Sequence, residues 1–259
     1  MLKAFKTKIK RYIRTEIYQI VRQYLKLNNI ETLKYIETRV IGLNNFNELK
    51  KIFKWVEDPL LERPDIYDFE YIEDANERRI RDAESIATVI RNTNPNTVLE
   101  IGTSNGMGTI LIAANAPLAQ IFTINIPPEE ILSGEGGVLT TVAIEKEKIG
   151  IEYKKRDLPN ITQIFANTAT WQPDIGTIDI AFIDGCHDTE FVYNDTKKIL
   201  PFMKKGGFVL WHDFNPELVK KYDWINSVCL GVEKLYADGL IRGRIMHIKD
   251  SWVGIYEVK

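Results

Sequence analysis

Thr97-Val-Leu-Glu-Ile-Gly-Thr-Ser-Asn-Gly-Met-Gly108 is the stretch on which the reading of this 259-residue chain turns. Val98, Leu99 and Ile101 make a short apolar run, the pattern of a strand buried on both faces. Pro95 and Asn96 stop whatever precedes it. Gly102, Gly106 and Gly108 break the run, and Thr109-Ile-Leu-Ile-Ala-Ala114 starts a helix. Strand, glycine-rich turn and helix make a nucleotide-binding corner: glycines let backbone approach a ligand, and the helix start offers free N–H groups. A dinucleotide fold would place G-x-G-x-x-G here, with an acid roughly 20 positions on. The chain has Glu100-x-Gly102-x-x-x-Gly106-x-Gly108 instead, with the glutamate inside the strand. A tight turn that holds no ligand is the competing reading.

Working outward, strands and helices alternate. Asp74 to Asn92 is helical, with Ile80, Ala83, Ile86, Ala87 and Ile90 on one face. After the corner come strands at Gln120–Ile126, Ile161–Ala166, Thr177–Ile183 and Phe208–Trp211. A loop with Gly134, Gly136 and Gly137 precedes a charged helix at Thr140–Gly150. Further helices are expected at Glu190–Met203 and Pro216–Ala237. Arg244–Ile248 and Trp252–Val258 read as a closing hairpin turned at Lys249-Asp250-Ser251. Such alternation implies an α/β fold with a doubly wound, mostly parallel sheet.

The N-terminal part reads differently. Leu2, Phe5, Ile9, Ile13, Ile17, Ile20 and Tyr24 recur at helical spacing among eight lysines and arginines and one glutamate, Glu16, within residues 1–27. That segment carries +7 in a chain whose net charge is −2. A basic amphipathic helix of this kind lies on an anionic membrane surface, pairs two copies in a homodimer, or docks on its own domain. Asparagines 28, 29, 44, 45 and 47 suggest short helices separated by turns, including one at Leu49–Val56. Asp65 to Glu73, with Tyr67, Phe69 and Tyr71, reads as irregular. The expected division is an N-terminal helical extension over 1–72 and a catalytic-type domain over 73–259. The small net charge argues against a protein that coats nucleic acid. Cys186 and Cys229 have no framework spacing, which favours a reducing, cytoplasmic setting, and no apolar run of membrane-spanning length occurs.

Ligands in doubly wound sheets bind beyond the C-terminal strand ends, where strand order reverses. Three strand ends are polar: Asn125, Asp184-Gly-Cys-His187 and His212-Asp213. Two of the three histidines thus flank two strand-end aspartates, although loop capping alone could also place aspartates there. The Glu100-to-Gly108 pattern resembles the first motif of class I S-adenosylmethionine-dependent methyltransferases. Ile-Asp-Ile-Ala-Phe-Ile-Asp-Gly-Cys-His (178–187), then Asp195, then Lys-Lys-Gly-Gly-Phe-Val-Leu-Trp-His-Asp (204–213), is similar to their small-molecule and sugar O-methyltransferase group with the Asp-Gly-x-His motif. The likeness covers residues 80–215.

The resemblance implies an O-methyltransferase of a small-molecule hydroxyl, in a sugar or glycan precursor for example. S-Adenosylmethionine would lie on Gly102, Thr103 and Gly106, with Glu100 fixing the loop and Asp184 close by. Asn125 would take the ribose hydroxyls and Asn167 the adenine amine. The family usually has acids at both places, so weaker cofactor binding is expected, and Asn125→Asp should tighten it. The resemblance also implies a divalent metal, Mg²⁺ foremost and Mn²⁺ next, on Asp184, His212 and Asp213. His187 is then the candidate base beside Asp184. The alternatives are a non-catalytic methyltransferase-like binding domain, a dinucleotide oxidoreductase and a Cys186–His187 thiol enzyme; the glycine spacing argues against the oxidoreductase.

Overall fold

The computed structural model describes residues 33–61, 75–133 and 144–259. The basic segment 1–27, the aromatic stretch 65–73, the division drawn at residue 72 and the Gly134–Gly137 loop lie outside them. Residues Lys34–Lys259 cluster as one compact unit. Its helices are α1 (Lys34–Arg39), α2 (Phe46–Phe53), α3 (Ala75–Thr93), α4 (Met107–Asn115), α5 (Pro128–Ser133), α6 (Ile151–Lys154), α7 (Thr189–Ile199) and α8 (Asp223–Ala237). Its strands are β1 (Val40–Leu43), β2 (Thr97–Ile101), β3 (Gln120–Asn125), β4 (Ile161–Phe165), β5 (Ile178–Ile183), β6 (Met203–Trp211), β7 (Ile245–Ile248) and β8 (Gly254–Glu257).

The eight strands form one sheet in the order β1-β7-β8-β6-β5-β2-β3-β4. Its ladders are parallel except for the two made by β8, so the mostly parallel sheet and the C-terminal hairpin are both present. Moving along the chain from β2, the sheet grows first to β3 and β4, then to β5 and β6 on the other side. The strand order therefore reverses between β2 and β5, and the site sits there.

Side chains of the inner strands are buried on both faces because helices cover both. Val98, Ile180, Phe182, Phe208 and Leu210 pack in one apolar cluster with Leu49 of α2, Ala83, Ile86 and Ile90 of α3 and Leu111 of α4. Alternate residues face the other way; there the indole N–H of Trp211 donates to Thr196 of α7 at 2.9 Å. Three strand-end bonds fix the functional tips: Gly102 N to Ile124 O at 2.8 Å, Asp184 N to Ile101 O at 2.8 Å and His212 N to Ile183 O at 3.0 Å.

Several elements differ from the sequence reading. Val40–Leu43 is a strand, not part of a turn between helices, because pairing with Ile245–Ile248 stabilises four residues that have no periodicity of their own. The expected helix at 49–56 runs instead over Phe46–Phe53; the Asn45 side chain caps its start by accepting from Asn47 N, and Lys54 ends it in the left-handed region. Pro201 ends the helix expected to reach Met203, and Met203 already belongs to β6. The helix expected from Pro216 is a single turn at Pro216–Leu218, followed by α8 from Asp223. In place of a charged helix ending at Gly150, the described part has one turn at Lys146–Lys148, and α6 begins after Gly150. No helix among the described residues is long and apolar enough to cross a membrane.

Candidate active site

The glycine corner is built from two buried polar contacts. Glu100 is 1% exposed, and its Oε2 accepts from Thr109 at 2.5 Å and Thr123 at 2.6 Å. A Cβ on Gly108 would fall 2.4 Å from Glu100 Oε1, so only glycine lets the start of α4 settle on that carboxylate. The Thr103 hydroxyl joins the same network, 2.7 Å from Thr123 Oγ1 and 3.0 Å from Gln163 Nε2. Thr103 therefore stiffens the turn from within, while it also borders the larger of the two cavities beside the turn.

Gly102 is required by the packing of the protein itself. Its φ is +108°, and an added Cβ would lie 2.0 Å from the Asp184 carbonyl oxygen. The space beside it holds the end of β5, so this glycine allows two strand tips to meet. Gly106, at φ +93°, similarly faces Tyr153 and Gly150 at 2.9 and 3.0 Å. Gly150 N and Glu152 N in turn donate to Ser104 O and Asn105 O.

Two cavities flank this turn and share Gly102, Ser104 and Asp184. One, of about 240 Å³, is lined by Asn125, Asn167, Cys186, His187 and Phe191 among others. The second, of about 550 Å³, opens toward Arg78, Asp82, Met107 and His212. Asn125 and Asn167, to which the resemblance assigns ribose and adenine, both line the first cavity, and both are engaged locally. Asn125 Oδ1 accepts from Ser104 N at 3.0 Å while its Nδ2 donates to Ile126 O at 3.0 Å. Asn167 Oδ1 accepts from Ala169 N at 3.0 Å, closing a turn. An asparagine at 125 can do both because it donates and accepts; an aspartate could not.

The two strand-end aspartates and both nearby histidines converge. Parallel pairing of β5 with β6 sets Ile183 opposite Trp211, so Asp184 and the His212-Asp213 pair leave the sheet side by side. His187 Nε2 lies 3.1 Å from Asp213 Oδ2 and 3.7 Å from Asp184 Oδ1. His212 Nδ1 lies 3.0 Å from Asp184 Oδ1 and 3.5 Å from Asp213 Oδ2. Asp213 is 5% exposed and holds a left-handed backbone at φ +54°, which aspartate tolerates better than most residues. The Asp184 side chain keeps 31% of its surface open, despite the protein packed around it.

Burial opposes ionisation of both acids, but the His212 imidazole, helped by His187, outweighs it. Asp184 is held below, and Asp213 well below, the usual carboxylate range. Burial likewise disfavours the His212 cation, yet Asp184 and Asp213 raise its pKa well above the ordinary value; Asp213 and Asp184 raise that of His187. The two histidines thus offset part of the carboxylates' charge, and charge alone does not call for a cation. The donor set is more informative. His212 Nδ1 is buried with no hydrogen-bond partner, and one ligand atom from each of Asp184, His212 and Asp213 falls within 4.8 Å of the others. Oxygen–oxygen–nitrogen sets of this kind suit Mg²⁺ or Mn²⁺, the nitrogen favouring the latter.

Sequence reasoning missed Asp82, Arg78 and Trp252. Asp82, on α3, is 5% exposed and meets the other two and His212: Trp252 N at 2.6 Å, Arg78 Nη1 at 2.6 Å and His212 Nε2 at 3.3 Å. The Arg78–Asp82 spacing of four residues is legible on a helix. The approach of His212, 130 residues away, has no local signal.

Residues 99–214 match a family model described as a methyltransferase domain. An uncharacterized protein, R132, of Acanthamoeba polyphaga mimivirus is 27% identical over 164 residues, covering 62% of this chain and 67% of that protein. Among solved structures, the O-methyltransferase NovP superposes with a TM-score of 0.52 at 15% identity, over 71% of this chain and 80% of that one. A Podospora anserina methyltransferase with bound S-adenosylhomocysteine gives 0.47 at 17% identity, over 73% and 83%. The sheet with its reversal point and glycine corner thus shares its fold with the O-methyltransferase NovP, and the segment that matches the methyltransferase-domain model spans the corner and both polar strand tips.

Proposed function

We propose that the protein transfers a methyl group from S-adenosylmethionine to a hydroxyl of a small molecule, with a divalent cation on Asp184, His212 and Asp213. The observation that carries this reading is the convergence of those three side chains at the β5 and β6 tips, next to the cavity bordered by Gly102, Asn125 and Asn167. A cation bound there would supply Lewis acidity to a hydroxyl oxygen and lower its pKa. The protein's own part is positional. The Gly102–Ser104 turn holds the methyl donor against the reversal point, and Asp184 borders both cavities, so donor and acceptor meet over it. His187, on the cavity wall and oriented by Asp213, takes the hydroxyl proton. The resemblance to sugar O-methyltransferases makes sugar hydroxyls the first acceptors to try.

The test is transfer of labelled methyl to a panel of sugar and other small hydroxyl compounds, with Mg²⁺, with Mn²⁺ and after chelation. Asp184→Asn should abolish metal-dependent turnover while the fold persists. Full-rate methylation by chelated protein would overturn the metal assignment. A second reading, a methyltransferase-like domain that binds without catalysis, is favoured by the local engagement of Asn125 and Asn167. Calorimetric titration with S-adenosylmethionine and S-adenosylhomocysteine separates them: no heat at millimolar ligand would rule out the enzyme.

We also propose that residues 1–27 bind an anionic membrane surface. The support is their charge of +7 beside an apolar stripe. Flotation with phosphatidylserine vesicles should recover the protein at low salt and lose it at high salt. Failure at low salt would leave dimerisation or packing as the role.

A further inference from the structure

We propose that Asp82 is a positioning residue: it grips Nε2 of His212 and so turns Nδ1 toward Asp184 and Asp213. The inference rests on the metal reading of those three groups.

Asp82 is suited to this by its own surroundings. Its Oδ1 accepts from the backbone N–H of Trp252 at 2.6 Å, which ties α3 to the segment leading into β8. Its Oδ2 takes Arg78 Nη1 at 2.6 Å and faces His212 Nε2 at 3.3 Å. The Arg78 guanidinium lies 4.0 Å over the Trp252 ring, so the carboxylate is clamped from two sides. With both oxygens held, Asp82 has little rotational freedom, and the ring it faces inherits that order. With Nε2–H turned to a carboxylate, Nδ1 is the ring atom that becomes a ligating lone pair once a cation displaces its proton. That is the atom left buried without a hydrogen-bond partner between the two strand-end carboxylates. A carboxylate behind a ligating histidine is a recurrent way to fix ring orientation and raise ligand basicity, and removing one typically costs 10- to 100-fold in metal affinity.

The experiment measures Mn²⁺ alone, by loss of the free-ion electron paramagnetic resonance signal, on full-length wild type, Asp82→Asn, His212→Asn and the double variant. Asp82→Asn should weaken Mn²⁺ binding by about 10-fold or more. In the His212→Asn background the same change should have no further effect, because Asp82 acts through that ring. Additive losses would overturn the proposal, as would Asp82→Asn with wild-type affinity. A merely structural role would lower the melting temperature and weaken Mn²⁺ in both backgrounds alike.

Should wild type take up no Mn²⁺, the metal reading fails and the positioning claim is judged separately, by ¹⁵N-histidine spectra. A protected Nε2–H on His212 that disappears in Asp82→Ala upholds it; an unchanged spectrum overturns it.

Discussion

Asp195 offers the most quantitative test of the structure. It lies on the inner face of α7, is 2% exposed, and neither carboxyl oxygen makes a well-formed hydrogen bond. Burial pushes its pKa from 3.8 to about 7, against the opposing pull of Thr168 and Lys198. Unfolding returns it to the ordinary value, so between those pH values the folded chain binds a proton that the unfolded chain has lost. Stability from this group is therefore complete below pH 4, falls as pH rises toward 7, and stays low above it. At 1.36 kcal/mol per pKa unit the full difference is about 4 kcal/mol, an upper figure since the pocket can relax. Asp195→Asn removes the titration while keeping the shape. Urea unfolding at several pH values should show the variant close to wild type at pH 4 and more stable by about 3 to 4 kcal/mol at pH 8. Other titrating groups cancel in the comparison. A difference that stays constant with pH would refute the reasoning. A variant that is destabilised throughout would mean the ionised form is paired with Lys198 in the native state.

Glycines give a contrasting set. Gly102→Ala should cost on the order of 3 kcal/mol or more, since backbone at 2.0 Å must move and φ is +108°. Gly42→Ala meets nothing within 4 Å at an ordinary φ and should be neutral or slightly stabilising; both read out in melting temperature. Asn125→Asp should lose the bond to Ile126 O, lower stability by about 1 kcal/mol and fail to tighten S-adenosylhomocysteine in calorimetry. The family resemblance alone implies the opposite, and tighter binding would show that the side chain turns to the ribose. His187→Ala should reduce turnover while leaving cofactor affinity within about two-fold, because its described contacts run to Asp184 and Asp213.

The sequence by itself determined the sheet that carries the site. Apolar runs buried on both faces, glycines at fixed offsets and polar strand ends are local signals, and each is set by backbone geometry within a few residues. That is why the corner at Glu100–Gly108, the tips at Asp184 and His212-Asp213 and the C-terminal hairpin were legible. Tertiary structure decided what those residues do to each other. Val40–Leu43 becomes a strand only against Ile245–Ile248, some 200 residues on. A Cβ on Gly102 would strike the Asp184 carbonyl just beyond β5, and the Thr103 hydroxyl and both Asn125 groups are hydrogen-bonded within the protein. Asp82 and Asp195 show the same limit most clearly. One is a helical carboxylate that meets His212, the other a helical carboxylate sealed from water. Nothing within a helical turn of either distinguishes them, because burial and partner identity are fixed by packing between segments far apart in the chain.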